Sequence, residues 1–135
     1  MTVASHTPVV VSAVDDLFFS SKIESTAKLA GVTVIQISKA RELNELLTDL
    51  VPRMIILDLN SRFCDPLEAL RRVKADARFA QTSVIGFLSH VQRELELAAR
   101  EAGCDQVMPR SAFSAKLSTI LESVKTPAPA AREGE

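Results

Sequence analysis

Histidine and cysteine are scarce in this chain of 135 residues: two of each, with the cysteines at 64 and 104 and the histidines at 6 and 90. That leaves no C-x-x-C pair and too few nitrogen and sulfur ligands for a zinc site. Two unpaired cysteines suit a reduced, cytoplasmic protein. No apolar run approaches the ~20 residues of a membrane-spanning helix. The opening "MTVASHT" lacks the basic and apolar regions of a signal peptide. An excess of one charge is missing too: 16 basic against 17 acidic residues give a formal net charge of −1. Neither nucleic acid nor a membrane surface is therefore expected as the main partner. What is present is core-forming material, with 47% hydrophobic residues, in a length that suits one domain.

Read along the chain, apolar runs alternate with helical patterns. "PVVVSAV" (8–14), "VTVIQI" (32–37), "RMIILDL" (53–59), "TSVIGFL" (82–88) and "DQVM" (105–108) have the short, β-branched character of buried strands. Between them, Phe19, Ile23, Ala27 and Ala30 fall at helical spacing, with Gly31 as a stop. Leu43, Leu46, Leu47 and Leu50 line one side of a second helix. Asp65 caps a third, with Pro66 at its first position and Glu68 as a capping-box partner. Residues 91–103 form a fourth. The fifth spans 111–124, with Ser111 as its cap and Phe113, Leu117, Ile120, Leu121 and Val124 facing inward. The tail "KTPAPAAREGE" (125–135) has a disordered composition, and residues 1–7 are a short extension. No repeat or second domain is evident.

Continuously apolar strands alternating with helices predict an α/β doubly wound parallel sheet, flavodoxin-like, in the order 2-1-3-4-5. Such sheets bind ligands beyond the carboxyl ends of their strands, at the switch point between the first and the third. Asp15 and Asp16 end the first strand and Asp58 ends the third, so three carboxylates are expected to converge. Like charges at that distance favour a counterion, and a hard divalent cation such as Mg2+ suits carboxylate and phosphate oxygens. A carboxylate beside such an ion can attack a phosphoryl group. The structural alternative is that Asp15 or Asp16 caps the first helix.

"VDDLFFSSKI", "IILDLNSRFCDPLEAL", "SVIGFLSH" and "AGCDQVMPRSAF" occur in the order and at about the spacing of a known family. The chain resembles the receiver domain of two-component response regulators, chemotaxis-regulator type, over residues 8 to about 124. The resemblance implies Asp58 as phosphoacceptor, Asp15 and Asp16 as the Mg2+-holding pair, and Asn60 as the position whose backbone carbonyl completes the metal site. It also implies a histidine kinase or phosphotransfer protein as donor. Output would go to a protein partner through the face made by helix four, strand five and helix five.

Three departures from the family pattern stand out. Where a lysine followed by proline ends strand five, this chain has "MPRS", with Arg110 at the lysine position and proline before it. A guanidinium is a planar fork rather than a point charge, and is expected to grip Asp58 bidentately. Where a Ser or Thr ends strand four, either Leu88 stands there or Ser89 takes the role after a one-residue shift. The aromatic switch position of strand five is Val107.

Several neighbours carry weaker signals. His90 is at the rim, with a backbone hydrogen bond as its ordinary role. Arg62 follows Asp58 closely enough to neutralise the acids, or is a solvated loop residue. Cys64 lies beside the site and would need exposure and a lowered pKa to act as a redox sensor. Cys104 packs under helix four. Phe18 is taken with Phe19 as core or near-core. Arg93, Glu94, Glu96, Arg100 and Glu101 make a solvated face on helix four, with Leu97 as an apolar anchor among them.

The expected function is a single-domain phosphorelay receiver, signalling rather than enzymatic, that accepts phosphate on Asp58 with Mg2+ through Asp15, Asp16 and Asn60, aided by Ser89 and Arg110. The alternative is a pseudo-receiver, a phosphorylation-independent interaction module in which Arg110 pairs with Asp58. A haloacid-dehalogenase-type phosphatase is faintly echoed by "DLNSR", but Asn60 replaces the second aspartate. A flavin site is disfavoured by the acidic turn "DDLFFSS".

Overall fold

The computed structural model describes residues 8–126. The extension 1–7 and most of the tail lie outside the described residues. The β-branched and aliphatic runs form five parallel strands: β1 (Val9–Ala13), β2 (Thr33–Ile37), β3 (Met54–Asp58), β4 (Ser83–Leu88) and β5 (Gln106–Pro109). Helices α1 (Leu17–Ala30), α2 (Ala40–Asp49), α3 (Pro66–Ala75), α4 (Arg93–Glu101) and α5 (Arg110–Ser123) connect or follow them, and a 3-10 turn, Ala77–Phe79, precedes β4. The sheet order is β2-β1-β3-β4-β5, as expected.

Strand alternation sorts the core into two layers. Ile55, Leu57 and Leu59 face Leu43, Leu47, Leu70, Val73 and Ala99, which belong to α2, α3 and α4. Met54 and Ile56 face Phe19, Ile23, Phe113 and Leu117, on α1 and α5. By the same period of two, Asp58 points toward the α1–α5 side. The register sets Asp58 opposite Phe87 and Leu88 opposite Pro109.

Local chemistry explains the helix ends. The Asp16 carboxylate accepts from the Phe18 and Phe19 amides, and Gly31 closes α1 at φ 77°, a left-handed turn that costs glycine little. Asp65 caps α3, accepting from the Glu68 amide, with Pro66 in its first turn. The first turn of α5 departs from expectation. Ser111 is not its cap: the helix starts at Arg110 directly from Pro109, with no side-chain cap. Proline's fixed φ, here −66°, carries the chain from strand to helix without an intervening loop. At the far end, Lys125 and Thr126 are hydrogen-bonded back to Glu122 and Ser123.

Candidate functional site

Among the described residues Asp58 is the one buried carboxylate, only 7% exposed. Its Oδ1 accepts from the Asn60 amide at 3.0 Å, and its Oδ2 lies 3.5 Å from the Asp15 amide. Burial is the main cause that raises its pKa; these amides oppose the rise, the Asp15 charge adds to it, and Arg110 opposes it. Loss of hydration is thus only partly replaced by protein dipoles.

Asp15 and Asp16 sit on the loop from β1 into α1, and each is engaged elsewhere. Asp15 Oδ1 accepts from the Ser61 hydroxyl at 2.8 Å, and Oδ2 accepts from the Arg62 amide at 2.7 Å. Ser61 was not singled out in the sequence; its hydroxyl also accepts from the Phe63 and Cys64 amides, so it organises the loop after β3. Asp16 is the N-cap of α1, and its second oxygen accepts from Arg110 Nη2 at 2.9 Å. The Phe19 amide is the leading cause of its lowered pKa, opposed by partial burial and reinforced by Arg110.

Arg110 corrects the expected partner, because it pairs with Asp16 rather than Asp58. The reason lies underneath it. Its guanidinium lies over the Phe19 ring, 4.5 Å from the centroid, and 5.9 Å from that of Phe87. Phe19, Phe87 and Phe113 pack on one another with centroids 5.0–5.8 Å apart. This aromatic floor attracts the cation and fixes its direction.

The Leu88/Ser89 register is also visible. Leu88 is the last residue of β4 and is buried, whereas Ser89 lies past the strand, exposed. The Ser89 amide donates to the Asn60 side chain at 2.8 Å, joining the loops after β3 and β4. His90 is exposed with Nδ1 3.3 Å from the Val91 carbonyl, its ordinary role. Ser89, His90 and Val91 line one cleft with Phe19 and Arg110. Val107 is buried in β5.

Cys64 meets neither requirement of a redox sensor: it is buried, and burial pushes its thiol up to about 11. Cys104 is likewise buried, its thiol donating to the Gln106 carbonyl. Phe18 corrects another expectation. It is 89% exposed, because the N-cap turn points it outward while Phe19 enters the core. Leu97 is exposed on α4 as expected, at 53%.

The residues expected to hold Mg2+, Asp15, Asp16, Asp58 and Asn60, lie at the two expected strand ends, with each carboxylate already engaged by the protein. Among the described residues, no group of three or more Asp, Glu, His or Cys side chains is disposed to hold a metal ion. Asp15, Asp16 and Asp58 accept from protein donors, and a guanidinium already neutralises Asp16. Mg2+ is usually held through one or two carboxylates and several waters; here it would compete with a protein donor at the oxygens of Asp15 and Asp16 and at Asp58 Oδ1.

With the geometry in hand, the class is plain: five parallel strands in the 2-1-3-4-5 order with helices on both faces are the flavodoxin-like fold of receiver domains. The solved structures it matches are of that kind. A putative response regulator from Chloroflexus aurantiacus superposes with a TM-score of 0.77 at 15% identity, covering 88% of this chain and 98% of that one. The chemotaxis response regulator CheY4 of Vibrio cholerae gives 0.76 at 17% identity, covering 87% and 98%. The phosphorylated cyanobacterial phytochrome response regulator RcpA gives 0.72 at 16%, covering 88% and 91%. At these identities the likeness is one of fold. No family model matches the chain, and no curated protein matches it.

Proposed function

We propose that this chain is a single-domain receiver-type module in signal transduction, acting by protein–protein contact rather than catalysis. Its partner surface is the face made by α4, β5 and α5. Two features of that face support the reading. Leu97 stands exposed among Arg93, Glu94, Arg100 and Glu101. Arg100 ties α4 to β5 by donating to the Val107 carbonyl at 3.3 Å while pairing with Glu96.

The observation that favours the phosphorylation-independent form is the Arg110–Asp16 pair. With Asp16 already neutralised and Leu88 at the end of β4, the pocket lacks a free acidic pair and a strand-end hydroxyl. The phosphorylation-independent module, a pseudo-receiver, is therefore our conclusion. The rival form, a phosphorelay receiver fed by a histidine kinase or phosphotransfer protein, is favoured by one fact: Asp58 stands buried at the carboxyl end of β3. No described helix is long and apolar enough to cross a membrane, and a cytoplasmic site of action goes with either form.

Intact mass after incubation with a small phosphodonor, with and without Mg2+, separates them. The expected result is no adduct on the wild type and unchanged amide NMR signals over α4, β5 and α5. A stoichiometric phosphoryl adduct on the wild type, absent from Asp58→Asn and accompanied by shifts on that face, would overturn the conclusion.

A further inference from the structure

We infer that Arg110 is the resident cation of this pocket: its guanidinium fills the counterion role at Asp16, excludes divalent metal, and ties the start of α5 to the start of α1. The inference rests on the receiver-type reading only in taking Asp15, Asp16 and Asp58 as the relevant acids.

The geometry carries it in three steps. First, contact: Arg110 Nη2 is 2.9 Å from Asp16 Oδ2, with both side chains only part-exposed, at 33% and 41%. Second, confinement. The guanidinium rests on Phe19, which is itself wedged against Phe87 and Phe113. Swinging away would forfeit both the ion pair and the ring contact, so this cation is held where a surface arginine would wander. Third, saturation. The remaining Asp16 oxygen caps α1, and both Asp15 oxygens bind the loop after β3 through Ser61 and Arg62. A metal would have to compete with these donors and with the arginine for the same oxygens.

The pair also has a mechanical side. Arg110 is the first residue of α5, and Asp16 caps α1. The bridge therefore joins two helix N-termini that lie on one face of the sheet. Lys22 of α1 adds a second link, donating to Ser114 of α5 at 2.6 Å. The start of α5, part of the proposed partner face, is pinned by the protein itself.

Metal titration tests this directly, with Mg2+ in calorimetry and Mn2+ broadening of amide signals at 15–16 and 58–61. The wild type should show no saturable binding. Arg110→Ala should bind at least ~10-fold tighter, the scale of one contacting charge at the protein surface, with broadening centred on those amides. Asp16→Asn added to Arg110→Ala should abolish the gain. Arg110→Gln serves as a second, more conservative variant should the alanine variant fail to fold. Saturable binding by the wild type overturns the inference, and so does a folded Arg110 variant that binds no metal. The phosphodonor result is independent. A wild type that is phosphorylated but binds no metal defeats the proposed function and leaves this inference standing. A wild type that binds Mg2+ but takes no phosphate does the reverse.

Discussion

Replacing Asp58 with Asn should stabilise the protein at neutral pH, although Asp58 is the residue to which the fold gives most prominence. The carboxylate is 7% exposed and faces the Asp15 charge. An amide of nearly the same shape removes the buried charge and that repulsion. It keeps an oxygen for the Asn60 amide at 3.0 Å, and it sacrifices only the 3.5 Å contact to the Asp15 amide, which is at the limit of a hydrogen bond. The loss of attraction to Arg110 is the smallest of the influences on Asp58. The net gain should be about 1 kcal/mol, well below the several that a wholly unpaired buried charge would cost. That corresponds to roughly 3–5 °C in Tm for a domain of this size. The pH dependence gives the sharper test. Because the folded pKa is raised, the native state binds more protons than the unfolded state between the two pKa values. Wild-type stability therefore falls as pH rises from the unfolded value, about 3.9, through the folded one. The variant lacks that loss. Thermal melts at neutral pH and at acid pH below the unfolded pKa should show the Asn advantage at the first and none at the second. A variant less stable at neutral pH, or an advantage that persists unchanged into acid, would refute the reasoning.

Further outcomes follow from the packing. Thr82→Val should cost about 1–3 kcal/mol, read by urea unfolding, because the buried hydroxyl donates to the Pro52 carbonyl at 2.7 Å and valine leaves that acceptor unmet. Gly86→Ala should cost about 1–3 kcal/mol in the same assay, since a Cβ there would lie 2.8–2.9 Å from Leu59 Cδ1 and Cγ. Cys64, its thiol pushed up to about 11 and buried, should resist alkylation at pH 8 in the folded protein. It should react on addition of denaturant, since reactivity follows the exposed thiolate; rapid modification in the native state would contradict the packing.

How much of this was legible beforehand depends on the range of the interaction. Strand and helix identity came from runs and periods a few residues long. The sheet order followed from continuous apolarity and the handedness of crossovers, and the structure has it. Asp16's capping role was open in the sequence because a cap and a strand-end acid look alike until the helix start is placed. Arg110's partner was missed for a different reason. Its place at the lysine position of the resembled family pointed it to Asp58, and nothing in the spacing of Phe19, Phe87 and Phe113 announces that the three rings meet beneath residue 110. Phe18 was misplaced because adjacent aromatics look equivalent until the N-cap turn sends one out and the other in. Ser61 carried no signal beyond being a small hydroxyl three residues past Asp58, although its contacts hold the loop.

The departures in the pocket belong together rather than being separate losses. The register puts Leu88 opposite Pro109, so β4 and β5 both end on side chains that offer Asp58 neither a hydroxyl nor an amine. Arg110 opens the first turn of α5, and there it lies over the ring of Phe19 and pairs with Asp16. Once Asp16 is neutralised in this way, a metal has less to gain at the site, and the burial that raises the Asp58 pKa is opposed only by two backbone amides and the attraction of Arg110. One change therefore need not restore a phosphorylatable pocket. Arg110→Lys supplies an amine but leaves Leu88 at the end of β4. Arg110→Ala frees the acidic pair and supplies no amine. The pocket's chemistry thus rests on several residues at once, so the proposed phosphorylation-independent form predicts that neither single variant gains a phosphoryl adduct.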